Sequence, residues 1–280
     1  MKGYRGIILI ALAILVPTTS VANSRDQAQR IHNRLAGVPA DADTLSDMAA
    51  LIDNNQAADA AELAMDNPAF YNVTIKQFAT PWTNEAQDVF APLNDYTATI
   101  IGVVRDDVDF RRILYSDLLY VGSASPAASP SSNAHYEALE NQHADLSTAL
   151  TESSQTSQYG TPAEAVAGVL TTRAAANAFF YAGTNRAMLR FTLMNHMCRD
   201  LEQVKDTTRP SDRIRQDVSR SPGGDSRIFR NSCIGCHSGM DPLAQAFAYY
   251  DWEGDQEGNG GRMVYNSSND AETGTRVQGK

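Results

Sequence analysis

The chain has 280 residues, 42% of them hydrophobic, and a formal net charge of −10. A balance this acidic argues against nucleic acid or an anionic membrane surface as partner, and suits a protein that meets basic patches on others. The length allows one large or two small domains with proper cores, and three cysteines are too few for a disulfide scaffold.

Residues 1–22 have the layout of a signal peptide. Lys2 and Arg5 form a basic leader, Ile7 to Val16 an apolar core, and Ser20-Val21-Ala22 a small-residue cleavage site. The apolar run is about ten residues, short of the roughly 20 needed to cross a bilayer. Cleavage before Asn23 and export to the periplasm are expected, with no membrane span left afterwards. In an oxidising compartment two neighbouring thiols usually become a disulfide.

Helical signals dominate the mature chain, so a mainly α fold is expected. Ser24 with Gln27 makes a capping box for a helix carrying Ile31 and Leu35, stopped by Gly37 and Pro39. Thr44 caps the next, with Leu45, Met48, Ala49 and Ile52 at helical spacing, and an Ala-rich segment from Gln56 to Met65 ends before Asn67-Pro68. Thr83 opens a helix towards Phe90. The apolar, β-branched run from Tyr96 to Val104 fits either helix or strand. Asp106 and Asp107 read as the start of a helix carrying Phe110, Ile113 and Leu114. These elements form an expected N-terminal helical domain over 23–121. Residues 122–160, Ser/Ala/Pro-rich and aperiodic at first, read as a linker or long loops.

A second domain is expected over 161–280. Thr161-Pro162-Ala163-Glu164 is a capping box with proline at the first helical position, leading a helix to about Tyr181. Asn185 to Leu201 is another helix, with Phe191, Met194, Cys198 and Leu201 on one stripe and Leu189, Leu193 and His196 on the next. Apolar most of the way round, it is expected to be buried, Cys198 with it. A short basic helix from Ser211 to Arg220 breaks at Ser221-Pro222-Gly223-Gly224. Asp225 caps a helix bearing Cys233-Ile234-Gly235-Cys236-His237, and Asp241-Pro242 opens one more, through Tyr250. Beyond Trp252 the chain is Gly-, Asn- and acid-rich, and it either frays towards Lys280 or is cut short inside a domain.

C-x-x-C-H is the attachment pattern of a c-type haem. Thiols three apart lie near one side of a helical turn, and each can form a thioether to one vinyl group on a haem edge. The histidine that follows can turn its imidazole to the iron as proximal ligand. Cys233, Cys236 and His237 are therefore the candidate residues for holding one covalent haem c. Zinc is a second reading, with Cys198, Cys233, Cys236 and either His196 or His237 as an S₃N set, although adjacent Cys236 and His237 are awkward ligands for one tetrahedral ion. A Cys233–Cys236 disulfide is the third, and it gives His237 no role.

Phe229, Leu243, Phe247, Tyr249, Tyr250 and Trp252 are near enough in sequence to surround a haem, and equally to be ordinary core. Met240 follows His237 too closely to round the ring at about 3.5 Å per residue, and reads as a packing residue. Met263 and His196 are the candidate distal iron ligands. Their plainer readings are an apolar residue of a surface strand and a hydrogen-bonded core histidine. His32, His135 and His143 sit in polar segments and read as surface histidines. Arg209, Arg213, Arg215 and Arg220 read as a solvated face, or as partners for haem propionates or an acidic redox protein.

The run Cys233 to Leu243, then Phe247, Tyr250-Asp251 and Gly254, resembles the cytochrome c-like domain family of unknown function first noted in planctomycete proteins. Upstream, Ala167-Gly168-Val169-Leu170-Thr171, Asn185-Arg186, Leu193 and Cys198 fall where that family has similar segments, so the resemblance covers roughly 163–255. Ala244 and Gln245 stand where Gly-Phe is usual, and most of a proline-rich connector is missing. The resemblance implies haem attachment at Cys233, Cys236 and His237 and no defined activity. Together these readings describe an exported, mainly α, single-haem c-type cytochrome that passes electrons to protein partners in the periplasm. Two competitors stand beside it: a haem oxidoreductase or its subunit with an open distal iron site, and a zinc- or disulfide-stabilised binding module.

Overall fold

The protein is described by a computed structural model over residues 23–180, 185–206, 208, 226–255 and 260–268. The expected signal peptide, the basic helix from Ser211 with its arginines, and the Asp225 cap lie outside the described residues.

The first three helices form a unit of their own. α1 (Ser24–Leu35), α2 (Ala42–Asp53) and α3 (Ala57–Met65) close on Ala28, Leu45, Met48, Ala60 and Ala64. Asn23 caps α1, its Oδ1 accepting from the Asp26 amide at 2.8 Å, and Asp41 caps α2 through the amides of Asp43 and Thr44. These caps precede the expected Ser24 and Thr44, because a capping oxygen must stand outside the first turn to reach its unpaired amides. His32, expected at the surface, is buried with Nδ1 2.9 Å from the Val38 carbonyl.

A π-helical turn (Phe70–Ile75), α4 (Lys76–Ala79) and a 3₁₀ turn (Thr80–Thr83) lead into irregular chain. The helix expected from Thr83 to Phe90 does not form. Instead the Asn84 side chain bonds the carbonyls of Thr80 and Asp88 and the Asp88 amide, the competition that asparagine offers a helix.

α5 (Asp95–Arg105) settles the ambiguous apolar run as helix. Asn94 caps it by accepting from the Thr97 amide, and every residue from Asp95 to Val103 is buried. A helix apolar on all sides belongs at the centre, where packing outweighs the weak helix preference of Ile, Val and Thr. A 3₁₀ turn (Phe110–Leu114), capped by Asp109 rather than Asp106 or Asp107, precedes β1 (Leu119–Val121), which lies along α5.

The expected linker is part of the core. α6 (Ala134–Asn141) and α7 (Leu146–Ala149) bring Tyr136, Leu139, Leu146 and then Leu150 against α5, and β2 (Thr151–Ser153) pairs antiparallel with β1. One hydrophobic core runs from Ala79 to Trp252 across the expected 122–160 division. His135 is buried in it, Nε2 accepting from the Gly122 amide and Nδ1 donating to the Pro126 carbonyl.

After α8 (Gln155–Tyr159), the helix expected from Pro162 to Tyr181 is delayed. Ala163–Ala165 makes one 3₁₀ turn, Gly168 then takes φ +55°, and α9 (Arg173–Phe179) starts at a Thr172 cap. A side chain on Gly168 would collide with the Ile113 carbonyl, which accepts from the Val169 amide at 2.7 Å. Asp95 joins α5 to α9, its carboxylate accepting from the amides of Arg173 (2.7 Å) and Ala174 (3.0 Å).

α10 (Arg186–Met197), α11 (Leu201–Val204), the single turn α12 (Ser226–Ile228), a π-helical turn (Phe229–Cys233) and α13 (Ile234–Ala244) follow. The helix expected to open at Asp241-Pro242 is the last turn of α13. Pro242 removes the N–H that would have reached the Ser238 carbonyl, and α13 gives way after Ala244 to a 3₁₀ turn, Gln245–Phe247. Tyr250 lies in strand, not helix: β3 (Tyr250–Gly254) and β4 (Gly261–Tyr265) form an antiparallel hairpin with Tyr250 opposite Tyr265. No helix among the described residues is long and apolar enough to cross a membrane.

The contact of α5 with β1 gives a test. A Cβ on Gly102 would fall inside the Tyr120 ring's contact distance, so overpacking outweighs the better helix propensity of alanine. Gly102→Ala is expected to destabilise the protein by about 2 kcal/mol, lowering its thermal midpoint by about 4–8 °C in a circular-dichroism melt.

Candidate functional site

The pentad sits where a π-helical turn passes into α13. Cys233 is the residue before the helix, and Cys236 and His237 lie in its first turn. All three side chains are half-buried, and both thiols are free. At 3.6 residues per turn, Cys233, Cys236 and His237 share one side of α13 with Met240 and Ala244.

That side is held by α10 and α11. Met240 and Ala244 are buried with Leu189 and Leu193, and Leu201, Val204 and Phe247 pack around them. Met240 is thus a packing residue, as its spacing from His237 implies. Asn185, before the start of α10, donates from Nδ2 to the carbonyls of Phe247 and Tyr250, beyond the end of α13. The two helices therefore run in opposite directions. Gly239 lets α11 lie against α13, since a side chain there would collide with the Val204 carbonyl.

α10 stops at Cys198, which takes the left-handed conformation at φ +50°. Cys198 is exposed, not buried as expected; the helix ends before the apolar stripe can carry it inside. Among the described residues no three His, Cys, Asp or Glu side chains gather into a metal-binding group, so the zinc candidates Cys198, Cys233, Cys236, His196 and His237 are not brought together as a four-ligand set.

Neither expected distal ligand is drawn to the pentad. His196 points into the main core, where its Nε2 is hydrogen-bonded to the Tyr96 hydroxyl at 2.7 Å and its ring meets Trp82 edge-on at 5.3 Å. Burial holds this imidazole down to about 4, so it is neutral near pH 7. Met263 lies in β4 opposite Trp252 and lines a cleft of about 210 Å³ with Tyr159, Thr171, Arg173, Arg262 and Tyr265. None of the pentad residues lines that cleft.

The aromatics after the pentad serve the core as well. Tyr250 stacks on Phe180 at 5.4 Å, Phe247 leans on the same ring, and Trp252 lies under the Arg173 guanidinium at 5.3 Å. Leu243 is exposed, and Tyr249 meets Tyr265 edge-on. Two groupings have no local sequence signal, the Asp95–Tyr159–Arg173 cluster and the Trp82–His196–Tyr96 cluster. Their members are 64 to 114 residues apart where bonds or ring contacts join them most distantly. A polar pair such as Asn94-Asp95 just ahead of an apolar run was the available hint.

Searches against protein-family models, curated proteins and solved structures find no match to this chain.

The depressed His196 gives a pH dependence with a definite sign. Its folded value of about 4 lies below the ordinary 6.5, so the unfolded chain takes up a proton first as pH falls. The stability is fully present above about pH 6.5 and is lost progressively between 6.5 and 4, to a limit of about 3 kcal/mol. In denaturant unfolding from pH 7 to 4, His196→Gln is expected to show a shallower loss of stability than the wild type.

Proposed function

We propose that Cys233, Cys236 and His237 hold one covalent haem c, and that the protein transfers electrons in the periplasm between partner proteins. The observation that carries this reading is the pentad's placement. Two free, half-buried thiols one helical turn apart stand beside an imidazole, on the side of α13 that continues beyond Met240 towards the helix start. Zinc fits less well, since the third thiol, Cys198, is exposed at the end of α10 and gathers with no metal-binding group among the described residues.

The chain's own part is attachment and positioning. Each thiol can add its S–H across one vinyl group, so that sulfur bonds carbon and the proton goes to the neighbouring vinyl carbon. The His237 imidazole would hold the iron. When bound, the haem supplies a one-electron iron couple. Packing of Met240 and Ala244 on α10, and of Gly239 on α11, fixes α13 and with it the relative positions of thiols and imidazole. A covalent tether keeps the cofactor with a protein that works outside the cytoplasm.

The test is a pyridine haemochrome measurement on the full chain expressed with haem-maturation machinery. One haem per chain is expected, resistant to acid-acetone extraction, and Cys233→Ala/Cys236→Ala is expected to lose it. A wild-type chain without covalent haem would end the proposal.

A further inference from the structure

We infer that Met197 supplies the distal ligand of that haem, an inference that rests on the haem reading and deepens it. Every histidine and methionine after residue 22 lies among the described residues, so the candidates can be taken in turn. His32 and His135 are buried and bonded to backbone, and His196 is bonded to Tyr96. His143 sits exposed in the turn after α6. Met48 is core to the α1–α3 unit, and Met65 lies in its third helix. Met188 is buried in the main core, Met240 between α10 and α13, and Met263 in β4 beside the Arg173 cleft. Met194 and Met197, both on α10, remain.

The register of α10 against α13 separates these two. Leu189, Leu193 and Met197 are four apart and form one stripe of α10; Ala244, Met240 and Cys236 form the matching stripe of α13. The helices are antiparallel, with Asn185 level with Phe247. Counting twelve residues along each from that point brings Met197 level with Gly235, between Cys233 and Cys236. Leu189, Leu193, Met240 and Ala244 are buried together in one cluster, and the count pairs Leu189 with Ala244 and Leu193 with Met240. The third pair would set Met197 over Cys236, and there the closure ends. Met197 is 57% exposed, Cys236 is half-buried, and the left-handed turn at Cys198 takes the chain away to α11. Val204, six residues on, is already against Gly239, which keeps this end of α10 beside the pentad. Met194 is on a different stripe of the helix. A thioether at the end of α10, on a different helix from His237, would be placed to hold the iron together with that imidazole.

The experiment uses the full, haem-loaded chain, with covalent haem first established by pyridine haemochrome. The oxidised wild type is expected to be low-spin and to show the weak red charge-transfer band of methionine-bound iron; the reduced protein is expected to show the strongly upfield methyl resonance of an axial methionine. Met197→Ala should keep one haem per chain and the far-ultraviolet circular dichroism of the wild type, lose both signals, become high-spin and take up carbon monoxide. Met197→His should stay low-spin without the red band, at a lower potential. Met194→Ala and Met263→Ala should match the wild type. Retention of both signals in Met197→Ala, or a high-spin wild type, overturns the assignment while leaving the haem reading intact. Absence of covalent haem from the wild type overturns both.

Discussion

The Asp95 carboxylate is the point on which the larger part of the structure turns. It begins α5, it accepts from the first two amides of α9, and the Tyr159 hydroxyl donates to it at 3.2 Å. Burial pushes its pKa up, and the amides of Ala174 and Arg173 oppose that shift. The unpaired amides at the start of a helix are natural partners for a buried anion, and removing the carboxylate would orphan two of them in the interior. The same junction continues outward. Arg173 is buried, donates from Nε to the Gly261 carbonyl at 3.1 Å and covers the Trp252 ring. The hairpin that follows α13 is thereby fastened to the start of α9, and through Asp95 to α5.

The pentad is positioned from the other direction, by its own helix. Its side chains belong to the stripe of α13 that packs on α10, and the apolar contact ends at the turn where the thiols begin. Two backbone features set this arrangement. Gly239 permits the approach of α11, and the left-handed Cys198 stops α10 and turns the chain into α11. A non-glycine residue adopts that conformation at a cost, which the packing of α10 and α11 on the same helix offsets.

What could be read from the chain alone was what neighbouring residues decide. Helix dominance, the short helices before Asn67-Pro68 and the placing of Cys233, Cys236 and His237 within one turn follow from spacing of three and four. The failures share a cause, because they depend on distant partners. The Tyr96–Val104 run could not be assigned until its surroundings on every side were known. The segment 122–160 opens with loop-like composition, yet Tyr136, Leu139, Leu146 and Leu150 behind it fill the core around α5. His32 and His135 look polar in sequence and are buried because backbone groups satisfy their rings. The partner of His196 is distant too, since Tyr96, 100 residues earlier, bonds that imidazole.

The burial of α5 on every side also implies an order of assembly. The α1–α3 unit is made of contacts close in sequence, and such units form quickly. α5 is different, for its capping partners at α9 lie 78 and 79 residues further along, and closing so long a loop costs entropy before any contact repays it. A chain emerging amino terminus first therefore presents an apolar helix whose covering, begun by α4, β1 and α7, is incomplete until residue 174 has followed. In that interval Ile100, Ile101 and Val103 are the surface that a holding chaperone would cover and an aggregate would use.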